Sequence, residues 1–325
     1  MITGLIFLII IFSLVLVKSA DQVVVAIRRI AKETHAGIFV VSSIILAVST
    51  SFPELFVGIT SALEKESDLA LGVVLGSNIA NIALVGASAA FIIGRVNINS
   101  NYIKQDVLIA FIAGLLPFTL IMIDRNLTRI DGIILITTYL AYATGFFKHR
   151  YEQIGREHQE ESFVYRFFRK IKNIESVKSR ELGRFFLGIS ILLLSADIIV
   201  KLSKSLALYA NIDVFIIGLI VLAIGTSLPE FAFSIRSLED GQPSMFLGNI
   251  LGSVIANSTL IVGISVLIYP LNNIVFSDYF VAVFVFVITF ITFWFFIKTK
   301  HELMRWEAGL LIIIYIIFLI LEFTK

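Results

Sequence analysis

Apolar residues in this chain run in long unbroken blocks, and polar residues gather in short stretches between them. A helix needs about 20 mostly apolar residues to cross ~30 Å of hydrocarbon. Ten stretches satisfy that length: 2–32, 36–63, 69–93, 105–123, 129–147, 184–209, 212–238, 244–269, 276–298 and 305–323. The first and sixth are long and carry charge toward one end, which predicts helices that tilt and emerge from the bilayer. No basic segment precedes the first block and no small-residue cleavage site follows it, so it reads as a retained helix. The pattern predicts an all-α polytopic membrane protein with ten transmembrane helices.

Composition agrees with the pattern and removes whole classes of function. Of the 325 residues, 58% are hydrophobic and 15% charged, whereas soluble domains carry about 25% charge. The absence of cysteine excludes disulfide frameworks, Cys-ligated metals and thiol catalysis. The four histidines, His35, His149, His158 and His301, lie in or beside charged segments, which argues against a buried His-ligated metal. A net charge of +2 gives no electrostatic footprint for nucleic acid. Nor do the apolar blocks hold a His, a Cys, a Ser–Lys pair or paired Asp suited to proteolysis. A transporter is expected rather than an enzyme, with the lipid bilayer as its surroundings and no resident cofactor.

One soluble stretch, Lys148 to Arg184, holds ten Lys/Arg and six Glu and divides the blocks five and five. Domain boundaries follow at 1–147, 148–183 and 184–325. Positive-inside reasoning puts the 148–183 loop in the cytoplasm of a plasma-membrane protein and both termini outside. With ten spans, 20 of the 26 Lys/Arg then lie on the cytoplasmic side. The loop itself reads as a solvated tether.

The two halves repeat one another. An offset of 176 residues maps Ser19-Ala20-Asp21 onto Ser195-Ala196-Asp197, and Thr50-Ser51-Phe52-Pro53-Glu54 onto Thr226-Ser227-Leu228-Pro229-Glu230. The same offset maps Leu75-Gly76-Ser77-Asn78-Ile79-Ala80-Asn81 onto Leu251-Gly252-Ser253-Val254-Ile255-Ala256-Asn257, and 15 of the 35 positions from Ala47 to Asn81 match. Five spans per repeat is an odd number, so the halves insert with opposite topology. That is an architecture of secondary transporters, whose substrates bind at the midplane between repeats.

The repeated segments carry chemistry that apolar helices avoid. Pro53 and Pro229, two of the chain's five prolines, interrupt the second and seventh blocks. Proline removes a backbone donor one turn after the carbonyl it would have served. Carbonyls around Ala47–Thr50 and Ala223–Thr226 are therefore expected to lose helical partners, which is tolerated only where protein, water or an ion replaces them. Glu54 and Glu230 follow directly, and an intramembrane carboxylate marks an ion pathway by default. Ser77 and Asn81 share a helix face, as do Ser253 and Asn257. Gly72, Gly76, Gly248 and Gly252 form small-residue stripes that let helices approach closely. Asp21 and Asp197 read as helix-end groups, and Lys201 and Lys204 as snorkelling side chains.

Together the four segments offer two carboxylates, two amides and the hydroxyls of Thr50, Ser51, Ser77, Thr226, Ser227 and Ser253. An all-oxygen, multidentate set suits a hard cation such as Ca²⁺ at ~2.3–2.6 Å, or Na⁺ of similar size, and disfavours softer metals. An ionised pair carries −2, matched by one Ca²⁺ or two monovalent cations. Left empty in low dielectric, that charge is costly, so the empty site resists translocation and the device behaves as an exchanger.

Thr-Ser-x-Pro-Glu followed by Gly-Ser-x-x-x-Asn, present twice, resembles the alpha-repeats of the cation/Ca²⁺ exchanger superfamily, most closely its prokaryotic Na⁺/Ca²⁺ exchangers. The resemblance covers essentially the whole chain. It implies Ca²⁺ coordination by Glu54 and Glu230 with the Thr50 and Thr226 carbonyls. It further implies Na⁺ sites using the Ala47 and Ala223 carbonyls with Ser51, Ser227, Ser77 and Ser253, and alternating access by sliding of the first and sixth helices. Ser49 stands where a glycine commonly precedes Thr-Ser, and Asn257 where many prokaryotic members carry Asp. The Asn81/Asn257 pair disfavours the cation/proton branch, in which Glu54 and Glu230 would accept H⁺. A Ca²⁺/H⁺ exchanger is the nearest alternative, and an uncoupled channel a more distant one. The expected ligands are Ca²⁺ and Na⁺, bound by a chain that works as a monomer.

Overall fold

A computed structural model describes residues 2–33, 50–97, 101–154, 179–272, 274, 276–300 and 302–324. In chain order the helices are α1 (Ile2–Glu33), α2 (Phe52–Leu63), α3 (Ser67–Ile93), α4 (Asn101–Asp124) and α5 (Arg129–Ile154). The second half has α6 (Ser179–Ala210), α7 (Val214–Glu239), α8 (Pro243–Ile268), α9 (Phe276–Lys300) and α10 (Arg305–Phe323). Eight of them (α1, α3, α4 and α6 to α10) contain stretches long and apolar enough to cross a membrane, and α2 is a shorter apolar helix. The first half of the expected 36–63 span lies outside the described residues. The protein is thus a helical, multi-pass membrane protein.

Three departures from the expected pattern have simple causes. Charged residues prolong helices beyond their apolar stretches: α5 runs on to Ile154 and α6 begins at Ser179, inside the stretch expected as a loop. The all-α expectation misses a ribbon in which β1 (Val96–Asn97) pairs antiparallel with β2 (Glu302–Leu303). Two residues per strand leave no periodicity to read, and the pairing joins segments far apart in sequence. Lys201 and Lys204 do not simply snorkel. Lys201 lies 2.9 Å from Asp197 and 3.5 Å from Glu64, and Lys204 lies 2.6 Å from Glu66, so α6 is pinned to the α2–α3 turn.

Burial sorts the helices into an inner and an outer set. The apolar windows of α3 and α8 are 94% and 83% buried, whereas that of α1 is 22% buried. Outer helices turn large apolar side chains outward, among them Phe7, Leu14, Phe284, Phe295 and Ile313, as lipid-facing surfaces require. α1 packs chiefly against α6, and the two form a separate apolar cluster with Val57, Leu69 and Val73.

Glycine decides how closely the inner helices approach. A Cβ built on Gly72 would stand 2.3 Å from the Phe215 carbonyl oxygen, and one on Gly76 2.0 Å from that of Leu219. The first-repeat stripe therefore seats α3 against the backbone of α7. No described atom lies within 4 Å of a Cβ on Gly248 or Gly252.

Candidate cation-binding site

The two breaks have nearly the same geometry. Ser51 (φ −87°, ψ 10°) and Ser227 (φ −82°, ψ 4°) leave the helical region at equivalent points, and a new helical turn starts one residue later. Pro53 and Pro229 fall in that first turn, where a missing N–H costs nothing. Glu54 and Glu230 stand beside them, near helix N-termini whose dipoles favour a carboxylate. The break thus makes a carboxylate tenable inside an apolar span.

Each carboxylate meets hydroxyls of both repeats. Ser77 Oγ lies 3.4 Å from Glu54 Oε1 and 3.4 Å from Thr226 Oγ1. Its counterpart Ser253 Oγ lies 3.5 Å from Glu230 Oε1 and 3.4 Å from Thr50 Oγ1. Each trio therefore contains a carboxylate and a serine of one half and a threonine of the other. Repetition in sequence becomes reciprocity in space.

These contacts are long for hydroxyl hydrogen bonds, whose mode is ≈ 2.7–2.8 Å. A serine hydroxyl has one proton to share between its two neighbours. Among the described residues the second oxygens, Glu54 Oε2 and Glu230 Oε2, have no hydrogen-bond partner, nor do Ser51 Oγ, Ser227 Oγ, Asn257 Oδ1 or either amide atom of Asn81. All of these residues are 0–1% exposed. Buried polar atoms are normally paired, so this concentration of orphans calls for a ligand. Two oxygens each ~2.4 Å from a hard cation and at right angles stand ~3.4 Å apart. The observed spacings suit ligand edges better than hydrogen bonds.

The structure brings Glu54, Ser77 and Thr226 together, and Glu230, Ser253 and Thr50. Ser51, Ser227, Asn81 and Asn257 are buried on the same helices, and Ala47 lies outside the described residues. One expected carbonyl ligand is not released: the Ala223 carbonyl accepts the Ser227 N–H at 3.1 Å and the Thr226 hydroxyl at 3.4 Å. The chain turns at Ser227 while keeping that one bond; Pro229, lacking an N–H, instead deprives the Gly225 carbonyl of its helical donor. Wide turns flank the site as well. α-Helical winding gives way to π-helix at Asn81–Gly86, Ile217–Leu222 and Ala256–Ile261, a deviation common at functional sites. Among the described residues no three His, Cys, Asp or Glu cluster, so the carboxylate pair relies on neutral oxygens.

Sequence reasoning missed three polar residues here. Asn249 Oδ1 accepts the Thr50 hydroxyl at 3.0 Å. Asn78 Nδ2 donates to Ser258 Oγ at 2.7 Å, and Asn257 Nδ2 donates to Asn78 Oδ1 at 3.2 Å. The repeat hides them, because Asn249 aligns with Val73, Asn78 with Val254 and Ser258 with Ile82. A search for unmatched polar residues inside apolar helices would have found them.

Fold and site together define a multi-pass helical membrane protein with a buried, oxygen-rich centre at the meeting of two repeats. The profile of the sodium/calcium exchanger protein family matches residues 4–148 and 181–324, and the chain belongs to that family. It is similar to the sodium/calcium exchanger MaX1 of Methanosarcina acetivorans, at 30% identity over 98% of both chains. It also resembles a putative antiporter, CaxA, of Alkalimonas amylolytica, at 30% identity over 78% of each. Among solved structures it resembles the sodium-calcium exchanger NCX_Mj soaked with 10 mM Na⁺ and zero Ca²⁺, with 26% identity, TM-score 0.59 and 98% of each chain covered.

Proposed function

We propose that the protein is a secondary antiporter that exchanges Ca²⁺ for Na⁺ across the membrane, holding its cations between Glu54 and Glu230. The observation that carries this reading is the reciprocal pair of carboxylate–serine–threonine trios, each with a buried carboxylate oxygen that has no partner among the described residues. Membership of the sodium/calcium exchanger protein family supports the choice of ions. Ser51, Ser227, Asn81 and Asn257 extend the ligand set. The Thr50, Thr226, Ala47 and Ala223 carbonyls remain part of the proposal, the last in a conformation that frees it from Ser227.

The chain would comprise two five-helix halves, 1–147 and 184–325, inserted in opposite senses and joined by the cytoplasmic segment 148–183, and it would work as a monomer. Two carboxylates give the loaded site near-neutrality with one Ca²⁺ or two Na⁺, and leave the empty site costly to bury. Coupling follows from that cost, because release of one ion is completed by the arrival of another.

The test is Ca²⁺ uptake into proteoliposomes of the purified protein, with Na⁺ inside, none outside and equal pH on both sides. Uptake that collapses when the Na⁺ gradient is dissipated is expected. No Na⁺-driven uptake, with uptake restored by a pH gradient alone, would overturn the choice of counter-ion in favour of H⁺.

A further inference from the structure

The repeats agree at Gly76-Ser77 and Gly252-Ser253 and again at Ile79-Ala80-Asn81 and Ile255-Ala256-Asn257, but differ between them, where Asn78 aligns with Val254. That difference gives the two amides of the site unequal surroundings. Asn257 Nδ2 donates to Asn78 Oδ1 at 3.2 Å, while Asn78 Nδ2 donates to Ser258 Oγ at 2.7 Å. All three residues are 0% exposed. The chain of donors runs one way, from Asn257 through Asn78 to Ser258, and leaves Asn257 Oδ1 without a partner among the described residues. Asn81, equally buried, has neither amide atom paired among the described residues.

We propose that Asn78 is a positioning residue for cation binding: by engaging the Asn257 amide nitrogen, it holds the Asn257 carbonyl oxygen available to the cation. This rests on the antiport reading above. A carboxamide presents either a lone pair or an N–H, and an NH₂ turned toward a cation opposes binding. An untethered amide must be oriented by each arriving ion, whereas a tethered one is already set, which lowers the cost of binding. Asn257 lies one turn beyond Ser253 on the same face of α8, and Ser253 contacts Glu230. The site is therefore unequal despite its duplicated motifs, with one amide preset on the Glu230 side and one free on the Glu54 side.

The experiment is a double-mutant cycle in proteoliposomes, with half-saturating Na⁺ and Ca²⁺ concentrations as the readout. Asn78→Val, which imports the second-repeat residue, is expected to raise the half-saturating concentration of at least one ion ~10-fold, the scale of a coupled pair in contact. Asn257→Ala removes the oriented group, so Asn78→Val should add nothing in that background. If Asn78→Val lowers the yield of folded protein, Ser258→Ala serves as the second variant. It loosens Asn78 from the other side, and its smaller shift should likewise vanish with Asn257→Ala. Unchanged half-saturation in folded Asn78→Val, or a shift that persists in full with Asn257→Ala, would overturn the proposal and leave Asn78 a packing residue. Absent Na⁺-driven uptake in the unmodified protein would overturn the antiport reading, and this proposal with it.

Discussion

Burial alone does not single out the two central glutamates. Glu181 and Glu307 are also buried, but Glu181 pairs with Arg29 and Arg184, and Glu307 accepts the Met304 N–H at 2.8 Å. Glu54 and Glu230 differ in what holds them: among the described residues neither pairs with a cationic side chain, and each Oε1 lies against a serine hydroxyl. Replacing either by glutamine keeps the shape and removes the charge. Glu54→Gln and Glu230→Gln should each weaken Ca²⁺ binding by about 100-fold or more, since loss of even an outer partner of a metal ligand costs 10–100-fold. Calorimetric titration of the purified proteins with Ca²⁺ would measure this. Folding should be kept, because an amide is cheaper to bury than an unpaired carboxylate; near-normal binding by either variant would refute its role as a ligand.

At the scale of the element, the sequence marked the breaks through their prolines but could not show how they bend. Proline says which N–H is missing. Which carbonyl then goes free depends on where the chain turns, and the turn at Ser227 leaves the Ala223 carbonyl bonded. The π-helical turns had no sequence signal, because a widened turn uses the same apolar residues as an α-helical one. The first-repeat glycine stripe was legible, and its partner was not: Gly72 and Gly76 meet α7 backbone, an approach that any side chain would block, whereas a Cβ on Gly248 or Gly252 would meet no neighbouring helix among the described residues. Gly76→Ala would drive a methyl group against the Leu219 carbonyl oxygen, a fixed backbone atom. The expected cost is ~3 kcal/mol, the upper range for overpacking, read as a lower thermal unfolding midpoint in detergent. An unchanged midpoint would mean that α3 and α7 are less closely packed.

The whole molecule raises the question of sidedness. The orientation proposed from the Lys/Arg distribution has the 148–183 segment in the cytoplasm and both termini outside. The chain has no cysteine, so single introduced cysteines report their side without background. A membrane-impermeant maleimide applied to intact cells should label Thr324→Cys and spare Ser162→Cys until the cells are opened. The opposite pattern would invert the orientation, and labelling of neither or both would break the odd count of five spans between the two positions. The Lys201 and Lys204 pairs to Glu64 and Glu66 join α6 to the α2–α3 turn, which lies on the outer side in this orientation.

The apolar blocks and the 176-residue offset were determined by the sequence alone, because membrane spanning depends on composition over ~20 residues and duplication leaves identities in register. The residue types at the centre were determined in the same way, since polar groups are conspicuous in an apolar background. Tertiary structure alone decided their partners. That the serine of each half meets the threonine of the other, and that Asn78 and Asn249 reach across to Asn257 and Thr50, are contacts between segments about 150–200 residues apart. Such contacts have no local signature, because they arise from how two repeats pack and not from the pattern within either. The inequality of the duplicated site therefore becomes visible only when the repeats are seen against one another.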